Sequence, residues 1–377
     1  MTEIDMITCE YPPDTGGLSG YSWSLVDGLN AMGVRVSVWT RGEGSMKDFS
    51  PADLWRTGRA FRERDGRNIL VQWVPHGYGF HAVNFPFCCW LLWRRVRHGD
   101  RVVLMVHETF LDWTTGGLRQ FVAAFVQRAM TAVLLQSSRH VFVSIPEWIR
   151  RLKPLAFGLK VPFEWLPVPS NVPLEGREED IQVARAAYGD TDSILIGHFG
   201  TYNKELRQLL CDILPSLLNR CPDARVVLLG KNSVEFAQEL RSLAPEHGDR
   251  IRASGLLDSR RLSAALSACD VMIQPYSDGI STRRGSAMAA LSHGLPTVST
   301  HGFLSEPFWT GCGAVSLVPS GDAEAFVRST ADLITDPERR QRLGMAGRKL
   351  YAERFDVEHT VRAVAATVRR LEHMNDN

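Results

Sequence analysis

Four short segments of the chain combine residue types that can handle an anion or a sugar hydroxyl. The richest runs from Gln274 to Ser286, QPYSDGISTRRGS, and leads directly into the apolar helical pattern AMAALSHG. Ser281 or Thr282 is suited to cap that helix, which would put Arg283 and Arg284 in its first turn. Positive charge opposes the helix dipole there, so two guanidiniums cost free energy unless an anion sits against them. That conflict points to a bound phosphate, with Gly279 and Ile280 completing the turn and Asp278 standing before it. The plain alternative is a pair of arginines that reach solvent or a surface carboxylate.

The second segment is GHFGTYNK, Gly197 to Lys204. It follows an apolar run, and Gly200, Thr201 and Tyr202 would form a turn of the kind where a phosphate or nucleobase settles, with Arg207 one turn into the next helix. LLGKN repeats the arrangement, with Lys231 as a point charge directly after a strand-end glycine. The third segment, EYPPDTGGLSGY from Glu10 to Tyr21, carries Gly16 and Gly17 just before a helix. These glycines let a ligand approach the main chain. The segment is not GxGxxG, so a dinucleotide fingerprint is absent. The fourth is VHET, where His107 and Glu108 stand side by side at a strand end and could orient a hydroxyl or assist proton transfer. A histidine satisfied by a neighbouring loop is the alternative.

These segments need a scaffold that brings strand ends together. Apolar runs at Ile4–Thr8, Arg35–Thr40, Asn68–Val74, Val102–His107 and His140–Val143 read as strands, with helices near 20–32, 82–97 and 115–136 between them. Pro162, Pro167, Pro169 and Pro173 then mark a linker. The same rhythm restarts with strands at Ser193–Phe199, Arg225–Gly230, Arg250–Ala253, Asp270–Pro275, Thr297–Thr300 and Ala314–Val318, and closes with helices near 337–351 and 356–373. The pattern predicts an α/β protein of two doubly wound, Rossmann-like domains facing a cleft, with chemistry in the loops beyond the strands' carboxyl ends.

Composition agrees with that size and class. The 377 residues are too many for one ordinary core, and 44% hydrophobic with 23% charged residues is globular. Lys plus Arg is 43 and Asp plus Glu is 42, which argues against binding nucleic acid by bulk phosphate neutralisation. Seven cysteines without a CxxC pair read as reduced thiols in a cytoplasmic protein, and no zinc site follows from their spacing. The start lacks a signal-peptide pattern, and the longest apolar run, Phe85 to Trp93, is too short to span a bilayer. That run continues to Arg97 as an aromatic and basic stretch. Such a stretch either lies on an anionic membrane surface or packs on the sheet as a core helix.

Taken together, YPPDTGGLSGY, VHETF, LPVPSN, HFGTYN, LLGKN, CDVMIQPYSDG and AALSHGLPTVST resemble, in order and spacing, the GT-B nucleotide-sugar glycosyltransferases of the large retaining GT4 family. The resemblance covers nearly the whole chain. It implies an acceptor-binding domain over 1–170, a donor-binding domain over 171–355, and a terminal helix over 356–377 that crosses back to the first domain. It also implies that Gly16 and Gly17 approach the donor phosphates or sugar, that His107 faces the transferred sugar, and that Thr201, Arg207 and Lys231 lie near the diphosphate. The family's Glu-x7-Glu pair falls, counted back from Gly294, on Ser281 and Ala289, neither of them acidic. The expectation is that Asp278 stands in for the first glutamate and that Arg283 and Arg284 take over the diphosphate.

The function so implied is retaining transfer of a sugar from a nucleotide-diphosphate sugar to a saccharide, small-molecule or lipid-linked acceptor, with His107 and Asp278 as catalytic residues and Glu108 at the acceptor. The chemistry implied is front-face attack without a metal, and the nucleotide sugar is a co-substrate rather than a cofactor. The departure at the carboxylate pair keeps two alternatives open: a nucleotide-sugar epimerase or non-glycosidic transferase of the same fold, and a non-catalytic nucleotide-sugar-binding protein. Base, sugar, acceptor and oligomeric state are not chosen by the sequence.

Overall fold

The computed structural model describes residues 2–41, 46, 48–61, 65–78, 83–113, 117–190 and 193–374. It divides into two units, Met1–Val168 with Val357–Asn377, and Pro169–Asp356. In the first unit β1 (Glu3–Ile7), α1 (Gly17–Ala31), β2 (Arg35–Trp39), α2 (Pro51–Phe61), β3 (Asn68–Trp73), α3 (Phe85–His98), β4 (Arg101–Val106), α4 (Leu118–Ser137), β5 (Ser138–Val143), α5 (Pro146–Leu152) and β6 (Phe163–Trp165) alternate. The second unit holds α6 (Glu178–Tyr188), β7 (Ile194–Phe199), α7 (Lys204–Arg220), β8 (Ala224–Leu229), α8 (Ser233–Leu243), β9 (Ile251–Ala253), α9 (Ser259–Ser267), β10 (Val271–Gln274), α10 (Gly285–Ser292), β11 (Thr297–His301), β12 (Ser316–Pro319), α11 (Ala323–Thr335) and α12 (Pro337–Arg354). The chain then returns to the first unit as α13 (Val357–His373).

Each unit is a six-stranded parallel sheet, ordered β2-β1-β3-β4-β5-β6 in the first and β12-β11-β10-β7-β8-β9 in the second. Central strands such as β3 and β8 are buried on both faces, which is why they read as continuous apolar runs. The strand order reverses beside β1 in one sheet and beside β7 in the other. Open α/β sheets bind ligands beyond the carboxyl ends at that reversal. The loops after β1, β7 and β10 are therefore placed where a ligand belongs.

Several expectations need correction. The proline-rich stretch contains a strand, β6, because it lies at the sheet edge where Pro162 need not donate; its carbonyl accepts from Val141 N at 2.9 Å. Helix α2 was not anticipated. Helix α3 buries Phe87, Cys88, Trp90, Leu91 and Arg94, so the aromatic-basic stretch is a core helix with only one side open. The expected starts of this helix at 82 and of the next at 115 lie outside the described residues.

Helix α4 is 20 residues long and contains an 18-residue stretch with a mean hydropathy of 1.2, enough by length and composition to cross a membrane, contrary to the expectation from apolar run length. One face of it packs on α3 and against β5, burying Ala124, Met130, Thr131, Leu134 and Leu135. Its opening turns leave Leu118, Phe121, Val122 and Phe125 exposed. Helix α13 packs on α1, where Gly28 leaves room for Val361; a Cβ at Gly28 would lie 2.5 Å from its Cγ2. All seven cysteines are free.

Candidate functional site

In the second unit the loops after β7 and β8 meet at two glycines. Gly230 has φ of 107°, and a Cβ there would fall 2.4 Å from the carbonyl oxygen of Gly200. Only glycine permits that approach. Asn232 Nδ2 adds a 3.1 Å hydrogen bond to the Thr201 carbonyl, so Thr201 and Lys231, both exposed, end on adjoining loops. Tyr202 departs from expectation. At φ of 53° its ring turns under the loop into the core, and its hydroxyl donates to backbone carbonyls of His198 (3.0 Å) and Leu229 (3.2 Å). Arg207 is also committed within the protein, donating to the Tyr202 carbonyl at 2.8 Å and pairing with Glu239 at 2.8 Å.

The loop after β10 brings three charges together. Asp278 forms ion pairs with both Arg283 and Arg284, one guanidinium on each carboxylate oxygen. All three side chains are largely shielded from solvent, and the Arg284 guanidinium lies 4.5 Å above the Tyr276 ring. Tyr276 is itself fixed by its hydroxyl, hydrogen-bonded to Ser286 Oγ at 2.8 Å and donating to Gln274 Oε1 at 3.2 Å. Gln274 Nε2 donates to the Phe199 carbonyl at 3.2 Å, and Ser277 Oγ donates to Glu205 in the first turn of α7. These bonds tie the β10 loop to the β7 loop.

The helix start differs from the sequence reading. Helix α10 begins at Gly285 after Arg284, so both arginines precede the helix rather than occupy its first turn. Neither Ser281 nor Thr282 caps it. Thr282 faces Glu306 instead, which accepts from Thr282 N at 3.0 Å, Thr282 Oγ1 at 2.5 Å and Trp309 Nε1 at 2.8 Å. Burial pushes the Glu306 carboxyl above its ordinary range, against the pull of these donors. Ser281 Oγ is buried without a hydrogen-bond partner among the described residues.

Ile280 is a core residue, and its N–H is spent on the Thr300 carbonyl at 2.7 Å. Gly279, at φ of 89°, lies so close to Gly302 that a Cβ would be 2.2 Å from its amide nitrogen. The backbone crossing holds Asp278 in place, with Leu304 N donating to the Asp278 carbonyl at 2.9 Å.

In the first unit His107 follows β4. Its N–H donates to the Trp73 carbonyl, and its own carbonyl accepts from Ser144 Oγ and Trp148 Nε1, each at 3.0 Å. The ring packs edge-on against Tyr21 of α1 at 4.8 Å. Nε2 lies 2.8 Å from Gln72 Oε1, which requires the proton on Nε2 and leaves Nδ1 as an acceptor. Burial lowers the imidazole pKa to about 3, so the ring is neutral at physiological pH.

Glu108 is turned toward His76 at 3.8 Å. Gly16 and Gly17 begin α1 one turn before Tyr21. Gly16 is extended at φ of −158°, so its backbone does not require glycine; Gly17 leaves open space where a Cβ would project.

Sequence reasoning missed Gln72, Tyr276 and Glu306. Tyr276 sits inside a segment already singled out, whereas Glu306 is remote from it in sequence and is marked only by following the carboxyl end of β11. Among the described residues no cluster of three or more His, Cys, Asp or Glu side chains is placed to hold a metal. The arrangement can receive an anion on one sheet's switch-point loops and offer a neutral hydrogen-bond acceptor, His107 Nδ1, on the other.

Two parallel switch-point sheets with these loops define a GT-B fold. Sucrose-phosphate synthase from Thermosynechococcus elongatus matches it with a TM-score of 0.75 at 17% identity, over 99% of this chain and 100% of its own. The Anabaena protein HepE in complex with UDP and glucose matches with a TM-score of 0.70 at 13% identity, over 98% and 100%. WaaG, a glycosyltransferase involved in lipopolysaccharide biosynthesis, matches with a TM-score of 0.66 at 13%, over 97% and 99%.

Residues 191–336 match the family model described as glycosyl transferases group 1. A GDP-mannose-dependent monoacylated alpha-(1-6)-phosphatidylinositol monomannoside mannosyltransferase from Corynebacterium glutamicum is 25% identical over 214 residues. That alignment takes in 53% of this chain and 54% of the relative, so the match spans about half the relative's length. Over residues 191–336, in the second unit, the chain is therefore similar to group 1 glycosyltransferases, and the fold of the whole chain is GT-B.

Proposed function

We propose that the protein is a retaining glycosyltransferase that uses a nucleoside-diphosphate sugar, with the donor on the second unit and the acceptor on the first. The observation that carries this is the cluster of Arg283, Arg284 and Asp278 over Tyr276, ahead of α10 at the sheet's switch point and inside the segment that matches the group 1 model. Cationic side chains at that place suit a developing diphosphate charge. In the reaction the anomeric carbon–oxygen bond to the diphosphate breaks as a bond to the acceptor oxygen forms. The acceptor proton passes to the departing phosphate, so no protein nucleophile is needed.

His107 Nδ1 accepts a hydrogen bond from a hydroxyl of the transferred sugar, held to that role by Gln72. Gly16, Gly17, Gly200, Thr201, Lys231, Gly279 and Ser281 border the donor, and Glu108 the acceptor. Asp278 replaces the first glutamate of the family's carboxylate pair. Tyr202, Arg207 and Ile280 support the loops rather than touch the donor. A lipid-linked acceptor, met at a membrane surface, is favoured by the phosphatidylinositol mannoside named for the Corynebacterium relative.

The test is thermal stabilisation by UDP, GDP, TDP, ADP and CMP in parallel, without acceptor. A nucleotide at a hundred times its Kd should stabilise by about 2.7 kcal/mol. Arg283→Ala with Arg284→Ala should weaken that nucleotide by about 3 kcal/mol, roughly a hundredfold. No shift with any of the five, or unchanged affinity in the double variant, would overturn the donor assignment.

A further inference from the structure

We infer that the first unit carries a second anion site, for a phosphate ester, at the amino end of its sheet and thus away from His107. A cavity of about 220 Å³ lies between the start of β5, the segment leading into β6, and the final turns of α3 and α13. Four cations line it: Arg95, Arg139, Lys160 and Arg370. Among the described residues no carboxylate lines it. The acidic residues on the same elements are turned elsewhere, Glu164 to His140 Nε2 at 3.2 Å and Glu372 to Thr2 and Asn68.

Arginines elsewhere are repeatedly matched with carboxylates, as at Arg67–Asp5, Arg94–Asp100 and Arg185–Asp270. In the cavity the polar contacts made by the cations are to neutral groups: Arg95 to the Gln136 carbonyl and Arg370 to His140 Nδ1 at 3.2 Å. The Arg95 pKa is lowered, first by burial and then by Arg139.

Helix ends account for part of this charge. Three helices, α3, α4 and α13, finish around the cavity, and each carboxyl end carries about half a negative charge, roughly −1.5 in all against four positive side chains. The surplus is what an anion would neutralise. Arg139 and Lys160 lie on no helix, so dipole complementation does not explain them.

Apolar side chains, Leu159, Val161, Leu371 and Met374, complete the lining. Phe157, two residues before Leu159 in the chain, has φ of 47° and is 74% exposed. Phosphate with a hydrocarbon flank is the chemistry that fits. Two sources supply it: an anionic phospholipid headgroup and a soluble phosphate ester.

The inference does not depend on glycosyl transfer. Thermal unfolding of the full chain is compared in sodium phosphate and in sodium chloride of equal ionic strength. The wild type should gain about 3 °C in phosphate. Arg139→Gln with Arg370→Gln, both exposed positions, should lose most of that gain, while the Arg283→Ala, Arg284→Ala variant should keep it.

No phosphate-specific gain in the wild type, a gain of unchanged size in the Arg139/Arg370 variant, or its loss in the Arg283/Arg284 variant would overturn the inference. Co-sedimentation with phosphatidylcholine vesicles, with and without phosphatidylglycerol, separates the sources. Given the phosphate gain, vesicle binding that needs phosphatidylglycerol and is lost in Arg139→Gln/Arg370→Gln but kept in the charge-matched Arg261→Gln/Arg342→Gln supports the headgroup. The gain without such vesicle binding supports the soluble ester.

Discussion

Glu306 offers a prediction whose size can be worked from its contacts. Its carboxylate, 5% exposed, faces three donors: the Thr282 amide, the Thr282 hydroxyl and the Trp309 indole. Glu306→Ala strands all three in a buried place. Each stranded donor costs about 1–3 kcal/mol, so the variant should lose about 4 kcal/mol once some relaxation is allowed.

Glu306→Gln is a different perturbation. The amide oxygen can take the place of Oε2, accepting from Trp309 Nε1 and from Thr282 N, which lies 3.3 Å from that oxygen. The amide NH2 then faces Thr282 Oγ1, and a hydroxyl can turn to accept. The variant also avoids burying a charge. Its loss should be about 1 kcal/mol or less. Urea unfolding of both variants reads the difference directly, and nucleotide-induced stabilisation reports whether the β10 loop keeps its shape. Equal losses in the two variants, or less than about 1 kcal/mol in Glu306→Ala, would refute the claim that these three bonds hold the loop.

Three further outcomes are expected. His107 and His198 both have pKa values lowered by burial to about 3 from 6.5, so the unfolded chain binds more protons than the folded one between those values. Their stabilisation is complete above the unfolded pKa and is lost as pH falls, by about 2 kcal/mol each at pH 5, which denaturant titration across pH would reveal as a steep acid-side decline. His107→Ala should lower kcat by about a hundredfold with little change in nucleotide affinity; a change in affinity with kcat preserved would move His107 into the donor-binding set. Asp278→Asn should tighten nucleoside diphosphate by about tenfold, because a competing carboxylate is removed, while turnover falls; weaker binding by calorimetry would contradict the competition.

The alternation of strands and helices was legible because parallel strands covered on both faces appear as unbroken apolar runs, as in Asn68–Trp73 and Ala224–Leu229. Helix α2 escaped because PADLWRTGRAF mixes polar and apolar residues without a long apolar face. Strand β6 was hidden by prolines that an edge position tolerates.

At the site, glycine positions and charged residues were readable as types, but their partners were not. Tyr202 and Ile280 occupy turn segments that attract attention, yet one positive φ and one strand-side packing contact send both side chains into cores. The pairing of Thr282 with Glu306 joins residues separated by helix α10 and strand β11, and no local pattern announces it.

The double ion pair at Asp278 bears on how this chain can lack acidic residues at Ser281 and Ala289. Two arginines and one carboxylate leave a net charge of +1 in a shielded loop, with both guanidiniums already oriented by one anion. On the proposed reading, the donor's diphosphate replaces Asp278 on the guanidiniums rather than adding to it, because each guanidinium edge serves one oxyanion well. The released carboxylate is then free to accept from a sugar hydroxyl, the work assigned to the missing first glutamate. The exchange trades one charge-assisted contact for another and costs little net free energy. A carboxylate that must be displaced before it can act also ties sugar orientation to diphosphate binding. That coupling is why Asp278→Asn is expected to split affinity from turnover rather than lower both.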